Sequence, residues 1–309
     1  MRIAELLTRS APFVSLEFFP PRDRERWPAF FAAVERLRAV DPLFVSVTYG
    51  ALGSTRGNTM EIVSRLRNDC GLETMAHLTC IGASAASVEG FLDALVDAGV
   101  DNVLALRGDP PADPSAARDL PEGGPACLPG GNGAFRCAAD LVSLIRSRHP
   151  SLGIGVAAYP EGHPEAPSAE EDLRFLKRKL DLGADFAITQ LFFDNAVYFD
   201  FVRRAREAGI AKPLIPGILP VLSMSTIDRL VSKCGARLPD DYLARLRDAD
   251  RRGGPPAVAV EGIAHAKAQA RGLIENGAPG IHLYTLNRAE ACLEIVRGLP
   301  PAHTRGGRR

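Results

Sequence analysis

The stretch FVSLEFFPPRD, residues 13–23, places a single carboxylate, that of Glu17, in an apolar run that is typical of a β-strand and ends in two prolines. Side chains along a strand point alternately to opposite faces, so Ser15 and Glu17 share one face and the apolar residues beside them share the other. A buried charge is costly unless the fold gives it a partner or a function. The predicted fold must therefore account for Glu17.

Short apolar runs of this kind recur along the chain and alternate with amphipathic stretches. The runs are FVSLEF (13–18), FVSVTY (44–49), ETMAHLT (73–79), NVLALRG (102–108), GIGVAAYP (153–160), FAITQLFF (186–193), PLIPGILPV (213–221) and GIHLYTL (280–286). Helical patterns lie between them, for example at 27–38, 88–98, 138–148 and 169–182. Eight strands in alternation with helices predict an α/β fold, a (β/α)₈ TIM barrel with parallel strands.

The length of 309 residues fits one large barrel as well as two average domains. The strand count favours a single catalytic domain over residues 1–300. Within it, the Pro- and Gly-rich segment 110–133 is predicted to be a mobile loop after the fourth strand. Residues 239–276 predict two extra helices before the eighth strand, joined by RRGGPP, and the basic tail 301–309 is predicted to be disordered.

Charge and composition restrict the partners. The 37 Lys and Arg residues balance the 37 Asp and Glu residues, so no overall field attracts nucleic acid or an anionic membrane, and small molecules are the expected substrates. No apolar run reaches the roughly 20 residues of a membrane span, and the first residues are too charged for a signal peptide, which predicts a cytoplasmic protein. The six cysteines are scattered without a CxxC pair, so neither a metal site nor a disulfide framework is predicted.

In a barrel, Glu17 points into the interior at the C-terminal end of its strand, which is where barrel active sites lie. Other polar residues fall at the same ends of the remaining strands: Ser46, Thr48, His77, Thr79, Asp109, Tyr159, Gln190, Asn287 and Arg288. Each has a simpler interpretation. Glu17 could pair with Arg22 or Arg24, His77 could be a hydrogen-bonded core residue, and Asp109 a turn residue. Their convergence on one end favours a binding site.

Several motifs together resemble a known family. They are LEFFPPR, FVSVTYG, HLTC, LRGDPP, AAYPEGHPEA, FLKRK, AITQLFFD, PGILPV and LYTLNRAE, in that order. The match runs from about residue 13 to residue 300 and is similar to methylenetetrahydrofolate reductase of the bacterial single-domain type. The fold of that family is a (β/α)₈ barrel, in agreement with the strand count.

The resemblance implies an FAD-dependent oxidoreductase that reduces methylenetetrahydrofolate to methyltetrahydrofolate with NADH or NADPH, in one-carbon metabolism and methionine biosynthesis. It implies Glu17 and Asp109 as catalytic residues, with Gln190 and Arg288 joining them in substrate binding. The implied FAD contacts are Thr48, His77, Arg107, Gly108, Asp109, Tyr159, His163, Ala166, Asp172 and Lys179. Arg107 and Lys179 suit a diphosphate. Apolar surroundings are expected to raise the pKa of Glu17, which would then act as general acid.

Two positions depart from the family pattern. Cys137 stands where the family often has tyrosine, and Met224 follows PGILPV where bacterial relatives commonly have phenylalanine. Two alternatives stay open at this level: a flavin-bearing subunit reduced by a partner protein rather than by NAD(P)H, or a flavin-free barrel methyltransferase or lyase. A homo-oligomer is expected, as in the family.

Overall fold

The fold is built on parallel strands. The structure is a computed structural model that describes residues 1–8, 12–48, 56–81, 83–108, 135–227 and 234–299. The strands are β1 (Phe13–Phe18), β2 (Val45–Val47), β3 (Thr74–Thr79), β4 (Asn102–Leu106), β5 (Gly153–Ala158), β6 (Phe186–Thr189), β7 (Leu214–Ile215), β8 (Gly217–Ile218) and β9 (Gly280–Tyr284). Their order in the sheet is β7-β6-β5-β4-β3-β2-β1-β9-β8, and every pairing is parallel.

Helices follow most of the strands. They are α1 (Ile3–Leu7), α2 (Trp27–Leu37), α3 (Arg56–Asn68), α4 (Ala85–Asp97), α5 (Ala138–Arg148), α6 (Ala169–Asp181), α7 (Asn195–Glu207), α8 (Asp240–Glu275) and α9 (Ala289–Val296). The helix predicted at 138–148 has those bounds, and the one predicted at 88–98 begins three residues earlier. Ser84 sets that start, because its hydroxyl accepts a hydrogen bond from the N–H of Ser87.

The sheet closes into a barrel at Pro216. This residue separates β7, which pairs with β6, from β8, which pairs with β9, so one short segment joins both ends of the strand order. Pro216 has no N–H to donate, but its carbonyl accepts from the N–H of His282 at 2.9 Å. The next residue, Gly217, must be glycine, because a Cβ there would lie 2.7 Å from the ring of Tyr284. The predicted (β/α)₈ barrel is confirmed, with its seventh strand divided.

Two apolar layers enclose the strands. The outer layer packs strand residues such as Leu16, Val47 and Ile281 against the helices. The inner cluster fills the N-terminal half of the barrel with Ile3, Phe13, Phe44, Met75, Leu104, Phe186, Ile188 and Ile215. Ile3, from α1, covers this end of the barrel, and its N–H donates to the side-chain oxygen of Asn102 at 2.8 Å. The C-terminal half of the interior is thus the part left for a site.

The extra helices before the last strand are present as one interrupted element. Inside α8 the backbone is non-helical at Gly253 and Gly254, and two prolines follow. This break matches the predicted RRGGPP junction. The first half of α8 packs Tyr242 and Leu246 against Leu219 and neighbours at the C-terminal end of the barrel.

The predicted loop 110–133 and tail 301–309 lie outside the described residues. Cys137 is disulfide-bonded, in a chain whose scattered cysteines predicted no disulfide framework; cysteine spacing along the chain does not reveal which sulfur atoms the fold brings together. In the part of the chain that the structure describes, no helix is long and apolar enough to cross a membrane.

Candidate active site

A cavity of about 520 Å³ opens at the C-terminal end of the strands, within the size range usual for small-molecule sites. Ten of the residues predicted for the site line it: Glu17, His77, Arg107, Gly108, Tyr159, His163, Ala166, Asp172, Lys179 and Gln190. Thr48 and Arg288 are not among the lining residues. Thr48 lies just after β2, and Arg288 is exposed at the start of α9. Asp109 lies outside the described residues.

Glu17 forms the buried floor of the cavity, with 6% of its surface exposed. Its Oε2 lies 3.3 Å from Nε2 of His77 and 3.4 Å from Nε2 of His282. Burial raises the pKa of Glu17, but the charge of the His77 imidazolium, helped by His282, outweighs that effect and lowers the pKa to about 2. The expectation of a raised pKa was wrong, because it considered the apolar neighbours and not the two histidines.

His282 was missed in the sequence analysis, although the sequence carries a signal for it. In the register of β9 with β1, His282 lies opposite Ser15, on the same inward face as Glu17. Applying the alternation rule to GIHLY selects His282 and Tyr284 as the inward residues. His282 is fully buried, and its Nδ1 lies 2.8 Å from the hydroxyl oxygen of Ser15.

Tyr284 was missed for the same reason. It lines the cavity, and its hydroxyl donates to the carbonyl of Thr189 at 2.7 Å. Its ring meets that of His282 edge-on, with centroids 5.5 Å apart. Burial raises the pKa of Tyr284 well above its ordinary value, so this phenol adds no charge to the site at neutral pH.

Cationic side chains form another part of the wall. Nη1 of Arg107 lies 2.5 Å from a carboxylate oxygen of Glu165. Nζ of Lys179 donates to the carbonyl of Ala157 at 2.6 Å. Burial lowers the pKa of Lys179 to about 8, and the nearby carboxylate of Asp172 offsets only part of that effect. A poorly solvated ammonium of this kind favours a bound anion.

The motif YPEGHPEA shapes the wall beside these cations. The N–H of Gly162 donates to the carbonyl of Tyr159 at 3.1 Å, and the N–H of Ala166 donates to that of His163 at 2.9 Å, so two turns follow each other. Nδ1 of His163 accepts from the N–H of Glu165 at 3.1 Å. A neutral His163 therefore carries its hydrogen on Nε2, and burial lowers its pKa in favour of that neutral form.

Small residues keep the wall open between the polar groups. Ala138, Ala139, Ala157 and Ala166 line the cavity. Gly108 lines it with a φ of +87°, and a Cβ there would lie 2.9 Å from side-chain atoms of Thr79 and Ile81. Only glycine lets the chain turn this closely after β4.

Gln190 faces the cavity from the end of β6. Its side-chain oxygen accepts from the N–H of Leu191 at 2.9 Å, so the side chain presents its NH₂ group as a donor. The cavity thus has a buried carboxylate with two imidazoles on its floor, a neutral donor, and cations on the wall.

Comparison with known proteins gives a consistent assignment. A family model described as methylenetetrahydrofolate reductase matches residues 2–300. The 5,10-methylenetetrahydrofolate reductase of Escherichia coli K12 is 37% identical over 286 residues, which cover 93% of this chain and 90% of that protein.

Two further comparisons add a longer relative and a solved structure of similar fold. Methylenetetrahydrofolate reductase (NADH) 1 of Arabidopsis thaliana is 36% identical over 295 residues, 92% of this chain, and the chain spans about half of that protein's length, 48%. A solved structure from Clostridium thermocellum, described as binding two copies of 5-methyl-5,6,7,8-tetrahydrofolic acid, has a TM-score of 0.65 at 13% identity, with 96% and 97% of the two chains covered, which shows a shared fold. With a family model matched over nearly the whole chain and a bacterial relative covered almost end to end, the protein belongs to the methylenetetrahydrofolate reductase family.

Proposed function

We propose that this protein reduces methylenetetrahydrofolate to methyltetrahydrofolate through bound FAD, with NADH or NADPH as electron donor, and so supplies methyl groups for methionine synthesis. The observation that carries the proposal is the placement of Glu17. A buried carboxylate, linked to two imidazoles, lies on the floor of a cavity whose wall is cationic. Family membership and the NADH named for the plant relative support the reaction and the donor.

The residues of the cavity fit FAD. Arg107 and Lys179 supply positive charge for a diphosphate in a chain without a phosphate-binding glycine loop. The reduced solvation of Lys179 and the small side chains between the polar groups are properties of such a cradle. Under this proposal His77, Gly108, Tyr159, His163, Ala166 and Asp172 complete the contacts. When bound, FAD supplies hydride transfer from the nicotinamide to the folate.

In the proposed reaction, Glu17 delivers a proton to the substrate. The bridging ring of methylenetetrahydrofolate must open to an iminium before it accepts hydride, and opening requires a proton on the departing amine nitrogen. Glu17 is the acidic side chain on the buried floor, where a proton that it passes to the substrate is shielded from bulk water. Gln190 offers its NH₂ group to the bound substrate, and Asp109 is proposed to hold the pterin ring by a hydrogen bond.

An anaerobic titration of the purified protein tests the proposal. We expect a flavin absorption spectrum that bleaches with NADH or NADPH and returns when methylenetetrahydrofolate is added. A colourless protein that binds no added FAD would favour a flavin-free methyltransferase or lyase. A flavin that neither nucleotide bleaches would favour a subunit reduced by a partner protein.

A further inference from the structure

The motif YPEGHPEA contains a carboxylate, that of Glu161, which has no part in the proposed reaction. Glu161 is the third residue of the turn that the N–H of Gly162 closes on the carbonyl of Tyr159. This turn is fixed to α7, because Arg204 donates to the carbonyl of Pro160 at 3.2 Å. Only 10% of the Glu161 side chain is exposed. A nearly buried carboxylate on a fixed turn needs hydrogen-bond donors.

Arg237 donates to this carboxylate from both its backbone and its side chain. The backbone N–H lies 3.1 Å from Oε2 and 3.3 Å from Oε1 of Glu161, and Nε lies 3.2 Å from Oε1. The Arg237 side chain is 85% exposed, so solvent weakens its ion pair. The bond from the backbone N–H is therefore the one that fixes where the chain lies.

Arg237 belongs to a strap, residues 234–239, which leads into α8 and has no regular secondary structure after its first residue. The strap touches YPEGHPEA at a second point. Gly235 has a φ of +68°, and a Cβ there would lie 3.1 Å from Cγ of Pro164. Glycine lets the strap turn and pass this closely. Two contacts, two residues apart, thus hold the strap on the motif.

The strap also forms part of the cavity wall. Cys234 lines the cavity, and Ala236 is buried in the cluster that Leu219 and Tyr242 share. This one cluster supplies an apolar part of the cavity wall, with Leu191, Leu219, Cys234, Tyr284 and Leu286 as its lining members. The turns that carry Tyr159 and His163 form another part. The bonds between Glu161 and Arg237 join these two parts of the wall.

We propose that Glu161 is a positioning residue, which holds the strap on the YPEGHPEA turns and so sets the distance between the wall with the FAD contacts and the apolar wall. The inference rests on the proposed function. In that reaction the nicotinamide and the folate occupy the cavity in turn, so both of them meet the same held strap.

A shared strap has a quantitative consequence. Without Glu161 the strap lies in place for only a fraction of the time, and a reactant that binds only this state has its apparent dissociation constant divided by that fraction. The fraction is a property of the strap, so the factor is equal for the nicotinamide and for the folate. The limiting rates stay the same, because the strap is in place in each complex once it has formed.

Hydrogen exchange of the strap is the first test, and it needs no turnover. We expect Glu161→Ala to speed amide exchange in residues 235–238 about tenfold, while α7 keeps its protection. Mass spectrometry of the full chain after digestion measures both segments. Unchanged exchange in the strap would overturn the inference and leave the proposed reaction untouched.

The concentration dependence of the two half-reactions is the second test. In Glu161→Ala, the NADH or NADPH concentration that gives half the maximal rate of flavin reduction should rise about tenfold. The half-saturating concentration of methylenetetrahydrofolate in flavin reoxidation should rise by the same factor, with both limiting rates within about twofold of the unaltered protein. A rise for one reactant alone, or slower limiting rates without a rise, would overturn the inference.

Matched variants separate the backbone bond from the exposed ion pair. Glu161→Gln keeps an oxygen for the N–H of Arg237 and should recover most of the affinity. Arg237→Met keeps that N–H, so its effect should not exceed about twofold. An effect of Arg237→Met as large as that of Glu161→Ala would refute the role of the backbone bond.

A surface control and the unaltered protein complete the design. Glu207→Ala breaks an exposed pair with Arg203 on α7 and should change neither exchange in the strap nor the half-saturating concentrations. An unaltered protein whose reduced flavin ignores the folate would refute the proposed function, and the exchange of the strap would still be readable.

Discussion

The two ends of the barrel interior differ although the same strand faces build both. On β1 the inward residues change from Phe13 at the N-terminal end to Glu17 at the C-terminal end. On β3 they change from Met75 to His77. The apolar end is filled by packed side chains. Above them, at the polar end, a carboxylate lies buried beside two imidazoles. Stability and chemistry are thus separated along the strand direction, as in other barrels of this kind.

The largest expected effect concerns the polar end. Glu17→Gln should slow flavin reoxidation by methylenetetrahydrofolate by about 10²- to 10⁴-fold, because the amide cannot deliver the proton. Flavin reduction by NADH or NADPH should be nearly unchanged. Stopped-flow measurement of both half-reactions checks this, with Glu61→Gln as a control at an exposed ion pair with Arg24. Equal losses in both half-reactions would make Glu17 a structural residue.

The apolar end should show the opposite behaviour. Phe186→Ala removes a fully buried ring that packs on Phe44, with centroids 6.1 Å apart. We expect the free energy of unfolding to fall by about 3–5 kcal/mol, while the folate half-reaction of the folded protein changes little. Denaturant unfolding and stopped-flow kinetics measure the two quantities. The exposed Val260→Ala serves as control, and a Phe186→Ala protein of unchanged stability would contradict the assignment of this layer.

A smaller effect is expected at the cationic wall. Lys179→Met should weaken FAD binding about 10- to 100-fold, the range of one charge-assisted contact. Lys177→Met is the matched control, since Lys177 lies on the same helix and pairs at the surface with Asp181. Equal FAD affinity in the two variants would place the diphosphate elsewhere.

The smallest effect is a pH dependence of the same contact. The pKa of Lys179 is lowered to about 8 from 10.5, so the ammonium loses its charge as pH rises through about 8. FAD affinity should decline above that pH in the unaltered protein and stay flatter in Lys179→Met. In the FAD-free protein, the cost of burying the ammonium is fully present below pH 8 and disappears between about 8 and 10.5. Fluorescence titration of FAD from pH 7 to 10 checks the first statement, and parallel curves for both proteins would refute it.

Local patterns in the sequence accounted for much of the fold. The apolar runs located the strands, and helix bounds such as those of α5 followed from amphipathic spacing. Alternation along β1 placed Glu17 inside the barrel, and strand order brought it to the same mouth as His77 and Gln190. The same alternation along GIHLY identifies His282 as an inward residue, although the sequence analysis did not select it.

What the sequence by itself determined is therefore the set of elements and the face on which each polar residue lies, because the periods of strands and helices are local properties of the chain. Only the tertiary structure decided which of those residues meet. Strand order brought His77 of β3 to Glu17, and the register of β9 on β1 brought His282 there; together the two histidines reversed the expected direction of the Glu17 pKa. Closure at Pro216 divided the seventh strand. Distances between segments hundreds of residues apart depend on register and packing, which no local pattern records.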